Sequence, residues 1–216
     1  MNIIIFGPPG AGKGTQSDFI VKNFNLFKLS TGDLFREEIK KKTTLGLKIT
    51  TIVNSGFLVS DDIINNLIEK IISNKKYENR IIFDGYPRNL SQAENLNKLL
   101  FKHNQKIDVV VKLKVSLDVI KKRITGRLTC SKCSKIYNEF FSPPPGNFIC
   151  CEGAILQKRD DDNVDVAIKR FETYEKSTEP VLEFYKKMNL VKDLDGEMNI
   201  DSIQSKISDY LTVIEG

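Results

Sequence analysis

One stretch near the start of the chain limits the possible folds more than any other. It reads Gly7-Pro8-Pro9-Gly10-Ala11-Gly12-Lys13-Gly14-Thr15 and lies between a short apolar strand, Ile3–Phe6, and a helix predicted from about residue 13 to 23. Glycines let backbone N–H groups turn inward around an anion, and the N-terminus of a helix adds a partial positive charge. The strand–loop–helix context therefore predicts a phosphate-binding loop, with Lys13 reaching the β- and γ-phosphates of a nucleotide.

The loop departs from the general pattern at one position. Such loops place a hydroxyl directly after the lysine, whereas here Gly14 follows Lys13 and the hydroxyl comes one residue later, at Thr15. Thr15 is accordingly our candidate for contact with Mg²⁺ or phosphate. The alternative is a glycine-rich turn with an exposed lysine, which the spacing and the context together disfavour.

Short apolar runs alternate with helical patterns along the rest of the chain. Further strands are predicted at 26–29, 81–83, 109–115 and 190–194, and helices at 91–101, 116–124 and 163 to about 187. This alternation predicts an α/β fold with a parallel sheet flanked by helices, whose strands end along one ligand-binding edge. Together with the phosphate loop it predicts the P-loop NTPase type. Two regions interrupt it: residues 30–59 suggest two short helices, and residues 126–158 have few helical signals.

A carboxylate ends one of the predicted strands. Ile81-Ile82-Phe83-Asp84 brings Asp84 to the same edge of the sheet as the phosphate loop. A carboxylate there can hold Mg²⁺, commonly through water, because Mg²⁺ gives up its hydration shell reluctantly. Asp also ends strands for turn reasons, so it is the neighbouring loop that makes Asp84 a candidate Mg²⁺ contact.

Composition narrows the range of partners. The net charge of +5 suggests an anionic partner, yet it is too mild and too dispersed to separate nucleotide from nucleic acid. No apolar stretch approaches the length of a membrane span, and the start of the chain lacks the pattern of a secretory leader. We therefore expect a cytoplasmic, monomeric protein with no membrane or nucleic-acid partner.

All four cysteines fall within one short segment. They are Cys130 and Cys133, in the Cys-x-x-Cys spacing, and the adjacent pair Cys150 and Cys151. A disulfide scaffold would spread its cysteines along the chain, whereas this clustering indicates a metal site. The first pair has the spacing with which two thiolates reach one tetrahedral Zn²⁺, and Cys150 can supply a third ligand. The alternative is a set of free thiols.

Four motifs together resemble adenylate kinases in order and rough spacing, over essentially the whole chain. They are residues 7–15, Ser30-Thr31-Gly32-Asp33-Leu34-Phe35-Arg36, Asp84-Gly85-Tyr86-Pro87-Arg88 and Arg159-Asp160-Asp161-Asp162-Asn163. The chain looks like the long-lid form of that family. The resemblance implies a core of residues 1–29, 60–126 and 160–216, a nucleoside-monophosphate-binding (NMP) insertion at 30–59, and a lid at 127–159.

The resemblance also implies an activity and its residues. The reaction would be the reversible, Mg²⁺-dependent transfer of phosphate from ATP to AMP, giving two ADP. The implied catalytic residues are Lys13, Arg88, Arg123, Arg159 and Arg170. The implied ATP contacts are Gly10, Ala11, Gly12, Lys13, Gly14, Thr15, Arg123, Arg127, Ile136, Tyr137 and Met198. The implied AMP contacts are Thr31, Arg36, Phe57, Leu58, Val59, Gly85, Arg88, Gln92, Arg159 and Arg170. Asp161 and Asp162 would steady the closing lid.

The physics of the reaction requires the same kinds of residue. Two polyanions must be held in line while charge spreads over the transferred group, which calls for several fixed cations and no protein nucleophile. The only histidine, His103, lies far from every motif and receives no role. Three rivals stay open: the same fold with UMP or CMP as acceptor or GTP as donor, a nucleotide-binding regulator without chemistry, and, less favoured, a nucleic-acid binder.

The resemblance leaves the fourth zinc ligand unassigned. In zinc-bearing members the fourth ligand comes three residues after the third, and that position here is Gly153, which has no side chain. Cys151 is our first choice for the fourth ligand and Glu152 the alternative. With four protein ligands the Zn²⁺ would be structural, since no coordination position stays open for catalysis.

Overall fold

Five parallel strands form the central sheet of the protein. The structure, a computed structural model, describes residues 1–42, 44–54, 59–145 and 150–215. The strands are β1 Ile3–Phe6, β2 Phe27–Ser30, β3 Ile81–Asp84, β4 Val109–Lys114 and β8 Val191–Asp195, within about one residue of the predicted runs. They are arranged in the order β2-β3-β1-β4-β8, which confirms the predicted fold class.

Helices cover both faces of this sheet, which explains why its central strands are apolar along most of their length. The helices are α1 Lys13–Phe24, α2 Thr31–Lys40, α3 Thr44–Asn54, α4 Asp61–Ile72, α5 Leu90–Lys102, α6 Leu117–Thr125, α7 Val164–Thr173, α8 Glu179–Lys186 and α9 Ile200–Glu215. Along β1, Ile4 packs into one buried cluster with side chains of α4, α5 and α8, while Ile3 and Ile5 pack on the opposite face against α1 and α9. None of the helices in the described ranges is both long and apolar enough to cross a bilayer.

The register of the sheet fixes which strand ends meet. Ile5 of β1 lies beside Asp84 of β3, and Asp84 lies in turn beside Ser30 of β2. The phosphate loop begins at Gly7, directly after β1, and α2 begins directly after Ser30. The parallel pairing therefore brings the loop, Asp84 and the first turn of α2 to one edge of the sheet.

A second, antiparallel sheet lies in the region that lacked helical signals. Its strands, β5 Arg127–Cys130, β6 Ile136–Asn138 and β7 Leu156–Gln157, are arranged in the order β6-β5-β7. The sequence analysis did not predict these strands, because runs of two to four residues carry almost no periodicity.

The long helix predicted from residue 163 to about 187 differs from the structure at its centre. Helix α7 ends at Thr173, a single π-helical turn covers Tyr174–Thr178, and α8 begins at Glu179. Pro180 lies in the first turn of α8. Because proline lacks an N–H group and its ring clashes with the carbonyl four residues earlier, an uninterrupted α-helix through this point is disfavoured.

Candidate active site

The phosphate loop has the backbone conformation that its glycines allow. Gly10 and Gly12 have φ values of +84° and +95°. A Cβ atom at Gly10 would lie 3.0 Å from Cγ1 of Ile124, so both conformation and space exclude a larger residue there. Gly12 is the N-cap of α1, and the first N–H groups of that helix therefore face the loop.

Lys13 points back into the loop. Its Nζ atom donates to the carbonyl oxygens of Gly7 at 2.7 Å and Pro8 at 3.0 Å. Burial lowers the pKa of Lys13 to about 8, the charge of Asp84 works in the opposite direction, and Arg88, Arg127 and Arg170 lower it further. The ammonium group is thus charged at neutral pH and lies among other cations. Binding of an anionic phosphate would offset the repulsion between them.

Asp84 lies at the end of β3 and is buried. Burial raises its pKa, although the nearby charge of Lys13 acts to lower it. The hydroxyl of Ser17 donates to Oδ2 of Asp84 at 3.5 Å. A carboxylate and a hydroxyl beside the phosphate loop are oxygen donors of the kind Mg²⁺ prefers, so these residues fit a Mg²⁺ contact. Thr15, the other candidate, is exposed on the first turn of α1.

A cleft opens at this edge of the sheet, with about 1000 Å³ of empty space in contact with solvent. Four of the predicted cations line it, although they come from separate segments of the chain. These are Lys13, Arg36, Arg88 and Arg170. Two further predicted residues, Val59 and Gly85, also line the cleft. The fold therefore gathers positive charge where parallel-sheet proteins bind ligands.

Arg88 is held tightly at the floor of the cleft. Its Nε donates to the Gly85 carbonyl at 2.7 Å, and its Nη2 lies 3.5 Å from Oγ1 of Thr31. Burial lowers the pKa of Arg88 to about 10, and the neighbouring charge of Arg170 adds to that effect. Gly85 has φ of +80°, and a Cβ atom there would lie about 3 Å from both Thr31 and Arg88, so only glycine fits.

The other residues predicted to contact AMP differ in their burial and in their hydrogen-bond or ion-pair partners. Thr31 is buried and donates to the Gly85 carbonyl at 2.9 Å. Arg36 forms an ion pair with Asp33 at 2.5 Å on the half-exposed side of α2. The side-chain amide of Gln92 accepts from the Arg88 N–H at 2.7 Å and donates to Asp61 at 2.6 Å. Phe57 and Leu58 lie outside the described residues.

Three of the predicted arginines make defined contacts within the chain. Arg127 forms an ion pair with Asp162 through two contacts, and Arg170 forms one with Asp161 at 2.5 Å. Arg123 donates to the carbonyl oxygens of Ala11 at 3.2 Å and Gly196 at 2.8 Å, and so joins the phosphate loop to the loop after β8.

The pKa values of Arg159 and Asp161 are both lowered, which disfavours the charged form of the arginine and favours that of the aspartate. Burial lowers the pKa of Arg159 to about 10, with a further contribution from Arg127. Burial acts to raise the pKa of Asp161, but the charges of Arg170 and Arg127 hold it below its usual value. Asp161 and Asp162 therefore offset part of the positive charge of the neighbouring arginines.

The ATP contacts predicted outside the phosphate loop do not line the cleft. Ile136 is half-exposed on β6, and Met198 packs against the cluster that α9 covers. Tyr137 is buried, and its hydroxyl donates to Sγ of Cys150 at 3.1 Å. The hydroxyl of Tyr137 thus contacts the cysteine cluster, and its contact with ATP stays a prediction.

The four cysteines form one cluster at the edge of the second sheet. The Sγ atoms of Cys130, Cys133, Cys150 and Cys151 all lie within 4.8 Å of one another. Cys133 and Cys150 are separated by 3.4 Å, and Cys150 and Cys151 by 3.9 Å. Tetrahedral Zn–S bonds of about 2.3 Å require sulfur atoms about 3.8 Å apart, so the cluster fits a Zn²⁺ ion.

Four residues that the sequence analysis left without a role contribute to the site. Asp33 pairs with Arg36, Asp61 holds Gln92, Ser17 contacts Asp84, and Thr178 contacts Arg88. Asp33 lies inside one of the four motifs. The other three lie on α4, α1 and the π turn, and only the tertiary fold brings them to the site.

A parallel sheet with a phosphate loop and a cationic cleft at the same edge defines a nucleotide kinase of the P-loop class. The family model described as adenylate kinase matches residues 5–190. The chain belongs to the adenylate kinase family and is a nucleoside monophosphate kinase.

Curated relatives named adenylate kinase align with nearly the full chain. An adenylate kinase of Pelagibacter ubique is 51% identical over 213 residues, which cover 99% of this chain and 100% of the relative. Adenylate kinases of Acholeplasma laidlawii and Methanocella arvoryzae are 42% and 40% identical, each over 210 residues. These alignments cover 97% of both chains for the first and 96% of both for the second.

Proposed function

We propose that this protein catalyses ATP + AMP ⇌ 2 ADP with Mg²⁺. The observation that supports this most is the convergence of Lys13, Arg36, Arg88 and Arg170 on one cleft beside the phosphate loop. An oxygen of the AMP phosphate attacks the γ-phosphorus of ATP, the bond from that phosphorus to the β–γ bridging oxygen breaks, and ADP leaves.

We assign a role to each cationic residue from its position relative to the phosphate loop and the cleft. Lys13 stabilises charge on the β- and γ-phosphates, while Arg88 and Arg36 hold the AMP phosphate through planar forks. Arg123, Arg127, Arg159 and Arg170 surround the transferred group, where fixed cations stabilise a spreading negative charge. Mg²⁺, when bound with ATP, neutralises charge on the β- and γ-oxygens, and Asp84 with Ser17 would hold it.

Closure of two segments would complete the site. We propose residues 30–59 as the NMP-binding insertion and 127–159 as the lid, on a core of 1–29, 60–126 and 160–216. Arg36 is paired with Asp33, and Arg127 with Asp162. On closure, each arginine would exchange its carboxylate partner for a phosphate. The closed segments would also exclude water, the competing acceptor.

A panel of nucleotides tests the proposed reaction. Purified enzyme is assayed for diphosphate formation with AMP, UMP, CMP and GMP as acceptors, each with ATP and with GTP as donor. We expect ATP with AMP to give the highest kcat/KM, and omission of Mg²⁺ to abolish turnover. A preference for UMP or CMP would show that the acceptor is not AMP. Nucleotide binding without diphosphate formation would indicate a regulator rather than a kinase.

We further propose a structural Zn²⁺ held by Cys130, Cys133, Cys150 and Cys151. The cluster lies in a three-stranded sheet whose strands are two to four residues long, too little structure to bury a core of its own. A metal ion would supply the missing stabilisation. Cys151 reaches the other sulfurs through a turn in which Gly153 has φ of +64° and Ala154 N–H donates to the Cys151 carbonyl.

Metal analysis checks the zinc proposal. Protein purified without chelator should contain about one Zn²⁺ per chain. Cys133→Ser and Cys151→Ser should both lose the metal and melt at a lower temperature, yet keep measurable activity in the cold. Ser134→Ala, a change beside Cys133, and Glu152→Gln, the alternative ligand, should both retain it. Equal melting temperatures for metal-free and zinc-reconstituted protein would exclude the structural role.

A further inference from the structure

The π turn at Tyr174–Thr178 changes the direction of a helix that lines the cleft. The N–H of Glu179 donates to the carbonyl of Tyr174, five residues earlier, where an α-helix would use the residue four earlier. The wider turn rotates the residues after it relative to α7. Such turns occur frequently at functional sites, so what this one places in the cleft is informative.

The last residue of the turn, Thr178, contacts Arg88. Its hydroxyl donates to the Arg88 carbonyl at 2.9 Å, across 90 residues of chain. Thr178 is 6% exposed, so water cannot easily take its place at that carbonyl. This hydrogen bond is therefore a fixed link between the helix and the loop that carries Arg88.

The backbone of Arg88 is thereby held on both sides. Gln92 accepts from its N–H at 2.7 Å, and Thr178 donates to its carbonyl. Both partners are buried. Such restraint matters because the guanidinium group of Arg88 is desolvated and close to Arg170, two conditions that favour its displacement toward water when no anion is bound.

We propose that Thr178 is a positioning residue, which fixes the Arg88 backbone so that its guanidinium group faces the acceptor phosphate. The α7–α8 helix then makes two contributions: it carries Arg170 and, through the π turn, locates Arg88. The inference rests on the proposed function, because it assigns Arg88 to the AMP phosphate.

The test compares three substitutions in the full-length enzyme. Thr178→Val keeps the shape and removes the donor, so kcat/KM for AMP should fall about 3- to 10-fold, the range for one lost hydrogen bond. The Kd for ATP, measured without AMP, should stay within about twofold, which is under roughly 0.4 kcal/mol. Thr178→Ser keeps the donor and should restore most of the loss.

Ser177→Ala is the matched control. Ser177 lies in the same π turn, and its hydroxyl has no hydrogen-bond partner among the residues that the structure describes. Its removal should leave kcat/KM for AMP unchanged. Thermal melting confirms that each variant folds, and Thr178→Ala replaces the valine variant if that one does not.

The outcomes separate this inference from the proposed function. Absence of ADP formation by the unsubstituted enzyme would contradict the function itself. An active enzyme whose Thr178→Val variant keeps its kcat/KM for AMP would overturn only the positioning role. That role is also overturned if the serine variant is as impaired as the valine variant, or if ATP affinity falls in parallel with AMP kinetics.

Discussion

Replacing Lys13 with methionine should lower kcat by about 10²-fold or more, because it removes a fixed charge from the phosphates where charge moves during transfer. The ammonium group already lies in the loop, 2.7 Å from the Gly7 carbonyl, and its pKa of about 8 keeps it charged at pH 7. Steady-state ADP formation with saturating ATP and AMP measures the effect.

A second lysine on the same helix provides the control. Lys22 is exposed in the last turn of α1, and Lys22→Met makes the same chemical change far from the loop. We expect kcat within about twofold of the unsubstituted enzyme, because Lys22 lies at the far end of α1 from the loop and its loss should cost little stability. Near-normal turnover of Lys13→Met would contradict the phosphate-loop assignment.

Arg88→Ala should raise KM for AMP and lower kcat together, because Arg88 is the proposed fork on the acceptor phosphate. We expect kcat/KM for AMP to fall by about 10²-fold, the scale typical of losing one preorganised donor in an active site. The Kd for ATP without AMP should stay within about threefold, or roughly 0.7 kcal/mol. Initial rates at varied AMP and a direct ATP titration separate the two effects.

The opposite end of β3 offers a matched arginine. Arg80 lies just before the strand and donates to the Asn25 carbonyl, whereas Arg88 follows the strand's other end. Arg80→Ala should leave both substrates' constants unchanged. If Arg88→Ala weakens ATP as strongly as AMP, this arginine belongs to the donor site instead.

The sequence was sufficient for the elements that carry strong local signals. The strands Ile3–Phe6 and Ile81–Asp84 are apolar along almost their whole length, as strands covered on both faces must be. The phosphate loop was recognisable because its spacing lies between a strand and a helix. Both signals arise within about ten residues of chain, where periodicity and turn chemistry can be read directly.

What the sequence did not reveal depends on residues far apart in the chain. The contact of Thr178 with Arg88 spans 90 residues, and that of Gln92 with Asp61 spans 31. The π turn had a local sign, Pro180 inside a helical pattern, but proline in a first helical turn is also common. The direction of the Tyr137 hydroxyl, toward Cys150, follows from the second sheet, whose strands are too short to predict.

The order of the strands also determines how this chain can fold. Strand β1 is central, yet its partners β3 and β4 begin about 80 and 105 residues later, and β8 adds to β4 from another 80 residues on. Because such non-local pairing delays folding, the apolar Ile3–Phe6 segment stays without its neighbours during much of synthesis. Chaperone binding to nascent chains should therefore be strongest before residues of β4 leave the ribosome.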